Sequence, residues 1–329
     1  MKPAVKRIVV IGGTSIGIFA AVLAGMVFFS TTEEPSGNME SFAFSEVKKR
    51  GPDLPELSFY KGADGKRLPY RSYQSEESER IVIMLHGSGY HSRYLQPLAE
   101  DLAAREAATV VTPDIRGHGP AAENRGDVDY IGQIENDLEQ LIDHVRENYP
   151  EASLYLGGHS SGGGSVIRFA GGGAEADLDG YLLLTPYIHH NSEINQNSDQ
   201  GWSNPNIPRM AALSIFNGLG LTFLNDKDVI SFNMPDNYRD GTETLYYSYR
   251  LQTSMHPRDD YEQDIQSLDA DTLVIAGEKD RSFHVEAYPS LFKNQKHAEV
   301  VLKEDLSHFG VVTEEGSHEA IASWLESRP

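Results

Sequence analysis

The chain has 329 residues, 39% of them hydrophobic, enough for one large globular domain with additions. It contains no cysteine, which excludes disulfides and thiolate metal sites. Its formal charge of −21 repels nucleic acid and anionic lipid surfaces over long range, so polyanion binding is not its role.

The amino terminus differs from the rest. Lys2, Lys6 and Arg7 precede residues 8–30, which form a run of 23 positions without a charge, and Glu33 and Glu34 follow. Such a run exceeds the roughly 20 residues a helix needs to cross a bilayer. The basic side favours an amino terminus in the cytoplasm and a folded domain outside it. A single-pass anchor over residues 1–30 is the expectation. The competing reading is a signal peptide cleaved after Val22-Leu23-Ala24, giving a secreted or periplasmic protein. Residues 31–52 read as a polar tether, and 53–329 as the main domain.

Residues 57–60 and 68–73 suggest two strands joined by turn chemistry at Gly62 and Gly65. Residues 81–85, all apolar, suit a parallel strand buried on both faces. Tyr94, Leu95, Leu98 and Leu102 then recur at helical spacing. A strand over 108–112 and an amphipathic helix from Ile131 to Val145 come next. Strands over 152–156 and 181–184 flank a helix after residue 160. From about 188 to 262 the alternation breaks into Asn, Pro and Gly with apolar clusters, and this stretch reads as an inserted cap. Strands over 272–276 and 299–302, a helix over 283–292 and a terminal helix over 315–327 resume the rhythm. Strands alternating with helices imply an α/β fold, a mostly parallel sheet with helices on both faces.

One stretch organises the rest. Gly158-x-Ser160-x-Gly162 lies between a strand and a helix, the setting of a nucleophile elbow, where the serine hydroxyl is pushed into the open. A glycine-rich loop with an idle serine would share these letters, but not this strand-turn-helix context. Polar residues follow three other strands: His86-Gly87, Asp280 and His308. In parallel sheets chemistry collects at the carboxyl ends of strands.

Taken together, His86-Gly87-Ser88-Gly89, Asp114-x-Arg116-Gly117-His118-Gly119, the elbow, Gly277-x-x-Asp280 and Ser307-His308 resemble the α/β-hydrolase superfamily over residues 55–329. Within it the chain looks most like the monoacylglycerol lipases and lysophospholipases of the serine aminopeptidase S33-type group. Ser161 departs from the bulkier residue often found after the nucleophile. The resemblance implies an acyl-serine mechanism without a cofactor. Ser160 would be the nucleophile, His308 its base and Asp280 the carboxylate that orients the imidazole. Glu278 and Asp305 are alternative partners. The backbone N–H groups of Ser88 and Ser161 would receive the oxyanion. His86 and His118 read as residues that order loops, and His159 as packing. His189-His190 lacks a carboxylate at metal-binding spacing.

The expected substrate is a carboxylic ester with a medium-length acyl chain, or a single-chain lipid ester. Apolar cap residues, among them Met210, Phe216, Leu219 and Phe223, would line its site. A thioesterase or an aminopeptidase-type peptidase on the same three residues is the first alternative. A non-catalytic, membrane-tethered binding protein is the second.

Overall fold

Continuous apolar runs become the middle of one eight-stranded sheet, because strands covered by helices on both faces need side chains that tolerate burial on both. A computed structural model describes residues 3–36, 44–47, 54–173, 176–195 and 201–328; the side chains of residues 3–14, 16 and 45 lie outside the described set. The chain begins with helix α1 (Pro3–Phe29) and the short α2 (Phe44–Val47). The first half of the main domain holds β1 (Ser58–Lys61), β2 (Arg67–Tyr73), β3 (Arg80–Leu85), α3 (Gln96–Ala104) and β4 (Thr109–Pro113). It continues through α4 (Gln133–Asn148), β5 (Ser153–His159), α5 (Ser161–Gly171) and β6 (Gly180–Leu184). The insertion contains β7 (Ser203–Pro205), α6 (Ile207–Gly218), β8 (Asp228–Phe232), β9 (Tyr246–Ser248), α7 (Tyr249–Ser254) and α8 (Tyr261–Gln266). The sheet is completed by β10 (Asp271–Gly277) and β11 (Ala298–Lys303), with α9 (Tyr288–Leu291), α10 (Gly310–Thr313) and α11 (Glu315–Glu326) around it.

The order across the sheet is β1-β2-β4-β3-β5-β6-β10-β11. The pairs β1·β2 and β2·β4 are antiparallel, and all others are parallel. After β3 the chain winds outward to β4, then returns to place β5 on the other side of β3. The winding direction therefore reverses between β3 and β5. Ligands of such sheets bind outside the carboxyl ends of the strands at this switch point. The turns that follow β3 and β5 carry His86 to Gly89 and Ser160.

Helix α4 shows how the faces are sorted. Ile134, Leu138, Leu141, Ile142 and Val145 are buried against the sheet, the three-and-four spacing of one helical stripe. The single helix expected over 283–292 is instead a 3₁₀ turn at Val285–Ala287 followed by α9. Pro289 lies in the first turn of α9. A proline has no N–H to donate to an earlier turn, so it suits a helix start and not a helix middle.

The cap is more regular than its composition suggests. Strands β7, β8 and β9 form a small antiparallel sheet, flanked by α6 and α7. The membrane span expected over residues 8–30 finds no support among the described residues, where no helix is long and apolar enough to cross a membrane. The backbone of α1 is helical there, and the side chains of residues 8–14 and 16 lie outside the described residues. The carboxyl-terminal half of α1 packs on the cap. Leu23 and Val27 are buried in the same core as Ala212 and Leu213 of α6. Arg209 of α6 donates to the Val27 carbonyl at 2.9 Å and to the Ser30 carbonyl. Beyond α1, Thr32 Oγ1 donates to Asp228 O at 3.0 Å, and Ser36 N–H to Asn233 Oδ1 at 2.7 Å.

Candidate active site

Ser160 stands between β5 and α5 with φ 54° and ψ −124°. A non-glycine residue holds such a conformation only when its surroundings over-determine it. Three backbone hydrogen bonds do so: Ser160 N–H to Leu184 O at 3.0 Å, Tyr187 N–H to Ser160 O at 2.9 Å, and Gly164 N–H to Ser160 O at 3.1 Å. The flanking glycines are required by space. A β-carbon on Gly158 would lie 2.3 Å from the Gly162 carbonyl carbon, and one on Gly162 would lie 2.5 Å from His86 O. The hydroxyl of Ser160 is thereby held proud of the sheet edge.

His308 lies in the turn after β11 and Asp280 in the turn after β10. Their side chains are almost fully buried, and His308 Nδ1 donates to Asp280 Oδ2 at 2.7 Å. The other oxygen, Oδ1, accepts the Ser282 N–H at 2.7 Å. A carboxylate satisfied on both oxygens cannot rotate freely, so it fixes the ring that donates to it. Of the alternative acids, Asp305 is exposed and paired with Lys279 at 2.7 Å, and Glu278 is exposed. Ser160 and His308 line the same cavity of about 340 Å³.

Two tyrosine–histidine chains hold the loop after β3, and neither was read from the sequence. Gly87 N–H donates to the Tyr94 hydroxyl at 2.5 Å, which sits 2.9 Å from His159 Nδ1. His159 Nε2 lies 2.9 Å from the carbonyl oxygen of His308. A carbonyl only accepts, so Nε2 carries the proton, Nδ1 accepts, and the tyrosine donates to it. On the other side, Gly89 N–H donates to the Tyr247 hydroxyl at 2.9 Å, and that hydroxyl bonds His118 Nε2 at 2.5 Å. His118 Nδ1 faces the Ile115 and Arg116 carbonyls at 3.2 and 3.1 Å. Ser88 lies between the two anchored glycines. Ser161 is the first residue of α5, where a backbone N–H has no partner within the helix. Among the described residues, neither the Ser88 nor the Ser161 N–H donates to a backbone carbonyl.

Burial sets the charge of these histidines. Desolvation pushes His86 down to about 4, against the raising effect of its bond to the Gly87 carbonyl. Desolvation and the neighbouring His86 push His118 down to about 3. His159 is likewise held well below the usual histidine value, first by burial and then by the adjacent His308. All three are neutral spacers at neutral pH.

A second cavity of about 490 Å³ opens from Ser160 into the cap. It shares Ser88, Ser160 and Trp202 with the first. Met210, Ile230 and Met255 line it, together with Ser161. Of the four cap residues expected to contact substrate, Met210 alone lines either of the two cavities that Ser160 borders. Phe216 is half-buried against the core, and Leu219 and Phe223 are 67% and 74% exposed. The reason is orientation. Helix α6 meets the cavity through Ile207, Met210, Ala211 and Ser214, and Phe216, Leu219 and Phe223 do not line it. His189 and His190 also border the cap cavity, but no group of side chains able to hold a metal occurs among the described residues.

Comparison with known proteins adds a family to this geometry. A family model described as serine aminopeptidase, S33, matches residues 76–309. The monoglyceride lipase of Rattus norvegicus is 32% identical over 142 residues, which is 43% of this chain and 45% of that lipase. The chain thus aligns with less than half the length of this curated relative. A soluble variant of monoglyceride lipase from Saccharomyces cerevisiae, solved with a substrate analogue, superposes with a TM-score of 0.64 at 17% identity. The match covers 84% of this chain and 96% of that one. Est1E from Butyrivibrio proteoclasticus, solved with ferulic acid, gives 0.56 at 18% identity, covering 82% and 99%. At these identities the structural likeness establishes the α/β-hydrolase fold.

Proposed function

The chain belongs to the serine aminopeptidase S33 family and is a serine hydrolase; from that premise we propose that it cleaves carboxylic esters through an acyl enzyme on Ser160. The observation that carries this reading is the buried His308–Asp280 hydrogen bond at the cavity that Ser160 also lines.

In the proposed reaction His308 Nε2 takes the Ser160 proton as Oγ attacks the ester carbonyl. Asp280 keeps the imidazole in the tautomer with Nδ1 protonated and stabilises its cation. The N–H groups of Ser88 and Ser161 receive the charge that develops on the carbonyl oxygen. Collapse breaks the bond to the alcohol oxygen, which takes the proton from Nε2. Water then enters, gives a proton to Nε2 and releases the acid, and Ser160 recovers its proton.

The two cavities support a division of the substrate. The leaving alcohol must reach the proton on His308, and His308 lines only the smaller cavity. That cavity is assigned to the alcohol and the cap cavity to the acyl chain. An ester is favoured over an aminoacyl bond because, among the described residues, no lining carboxylate is both free and enclosed to receive an ammonium group. Asp240 is bonded to Tyr90 and Arg93, and Asp259 is fully exposed. The assignment of medium-length acyl groups rests on the apolar cap cavity. Monomeric or micellar single-chain esters fit the acidic body better than packed anionic bilayers.

The proposed location is outside the cytoplasm, with residues 8–30 kept on the mature chain. The burial of Leu23 and Val27 on the cap and the Arg209 contacts support retention over cleavage. Sequencing the mature amino terminus checks this; a start near Gly25 defeats it.

The test of the mechanism is covalent. A fluorophosphonate should add one mass to the intact chain, at Ser160, and Ser160→Ala should abolish both labelling and turnover, a loss on the order of 10⁶. Labelling at another serine with none at Ser160 would reject the assignment.

A further inference from the structure

We propose that Phe44 sets which alcohols the enzyme accepts, closing the outer wall of the leaving-group cavity from a segment that lies outside the matched family core. The inference rests on the ester reading above and adds a residue that sequence analysis assigned to a tether.

Phe44 opens α2, upstream of the matched residues 76–309. It is 6% exposed. Its ring lies 5.5 Å from Trp202, 5.5 Å from Tyr238 in a stacked arrangement, and 5.3 Å from Phe309. These three rings all line the cavity that contains Ser160 and His308, and so does Phe44 itself. Phe309 is joined to His308 and packs 5.6 Å from its ring. Trp202 borders both cavities. The aromatic group therefore bridges the cap, the catalytic histidine turn and the amino-terminal segment.

A second contact ties the segment down. Glu46 Oε2 accepts the Ser307 hydroxyl at 2.7 Å, and Ser307 Oγ accepts the Gly310 N–H at 2.9 Å. The turn that presents His308 is thus bonded to α2 one residue before the histidine. Further upstream, the Thr32 and Ser36 bonds fasten the segment to β8 and the residue that follows it. A wall held by these rings and by the Glu46 bond does not yield easily to a larger alcohol. Size discrimination in such a pocket comes from the cost of displacing packed side chains.

The test compares the full-length chain with Phe44→Ala and Phe44→Leu on two ester series. One keeps a butyryl group and changes the alcohol from ethanol to 2-naphthylmethanol. The other keeps ethanol and lengthens the acyl group. In Phe44→Ala, the ratio of kcat/KM for the bulky over the small alcohol should rise about tenfold, with the acyl-length profile unchanged. Phe44→Leu should give an intermediate ratio, and it carries the test if the alanine variant does not fold. Labelling rates of Ser160 by fluorophosphonates with small and bulky alkoxy groups are measured in parallel. If the unmodified chain is labelled but cleaves no ester, the ester reading fails, and the labelling ratio still reads the wall. An alcohol ratio and a labelling ratio unchanged by both variants, or a change spread equally over the acyl series, would overturn the role of Phe44.

Discussion

His159 Nε2 donates to the main-chain oxygen of His308 at 2.9 Å, so the residue beside the candidate nucleophile also holds the turn of the candidate base. The same ring accepts from Tyr94, whose hydroxyl is bonded by Gly87. One chain of hydrogen bonds therefore links the loop after β3, the elbow and the histidine turn. Replacing His159 by Phe keeps much of the ring's bulk and removes both contacts. Reacting groups misplaced by about 1 Å can lose up to 10² in rate. We expect kcat for His159→Phe to fall by about tenfold or more, with KM changed little. An unaltered kcat in the folded variant would show that the chain is only packing.

Tyr247 makes the matching link from the cap. Its hydroxyl accepts from Gly89 and bonds His118. Tyr247→Phe leaves both of these buried groups without a partner, at a cost of about 1–3 kcal/mol. Urea unfolding should register that loss. Turnover should fall as well, because Gly89 flanks the Ser88 N–H assigned to the oxyanion. A destabilised variant with full kcat would separate the cap contact from catalysis.

Much of the fold could be read because buried parallel strands leave continuous apolar runs, as at residues 81–85, and because Gly158 and Gly162 are demanded by backbone contact. Ser160, Asp280 and His308 were visible as polar residues at strand ends. The cap was less legible. Apolar runs report burial without direction, so Met210 and Phe223 look alike in sequence, although one lines a cavity and the other faces outward. Tyr247 carries no local signal, since its partner Gly89 is 158 residues away. Phe44 was hidden for the opposite reason. The short run around it, with Phe42 and Phe44 among polar residues, is too brief to show a period, and the burial of Phe44 depends on rings contributed by the cap and the histidine turn.

The buried histidines predict an acid-labile fold. His86 and His118 titrate near 6.5 when unfolded and are pushed down to about 4 and about 3 in the fold. Below pH 6.5 the unfolded chain binds more protons, so stability falls as pH drops towards these folded values and is fully present above 6.5. Each histidine contributes on the order of 3 kcal/mol over that window. The free energy of urea unfolding should therefore be several kcal/mol smaller at pH 4.5 than at pH 7. Stability independent of pH across this range would mean that these rings are not buried in the neutral form.

The acyl assignment gives the last prediction. The cap cavity of about 490 Å³ is bordered by Met210, Ile230 and Met255 and opens at Ser160. Each methylene that leaves water for such a wall gains about 0.8 kcal/mol, roughly fourfold in kcat/KM, until the cavity is full. Nitrophenyl esters assayed with the full-length chain should therefore improve from acetate to medium-length acyl groups and then level off. Met210→Lys places a charge on the wall, which is costly to bury and keeps water beside it. That variant should flatten the chain-length series while cleaving acetate at close to the original rate, because acetate does not reach the α6 wall. Leu219→Lys serves as the control. Its side chain is 67% exposed and lines neither cavity, so the series should keep its slope. If kcat/KM is instead highest for acetate and falls with every added carbon, the acyl group does not enter the cap, and a small ester becomes the better substrate. If Met210→Lys and Leu219→Lys flatten the series equally, the increment arises at the protein surface and not in the cavity.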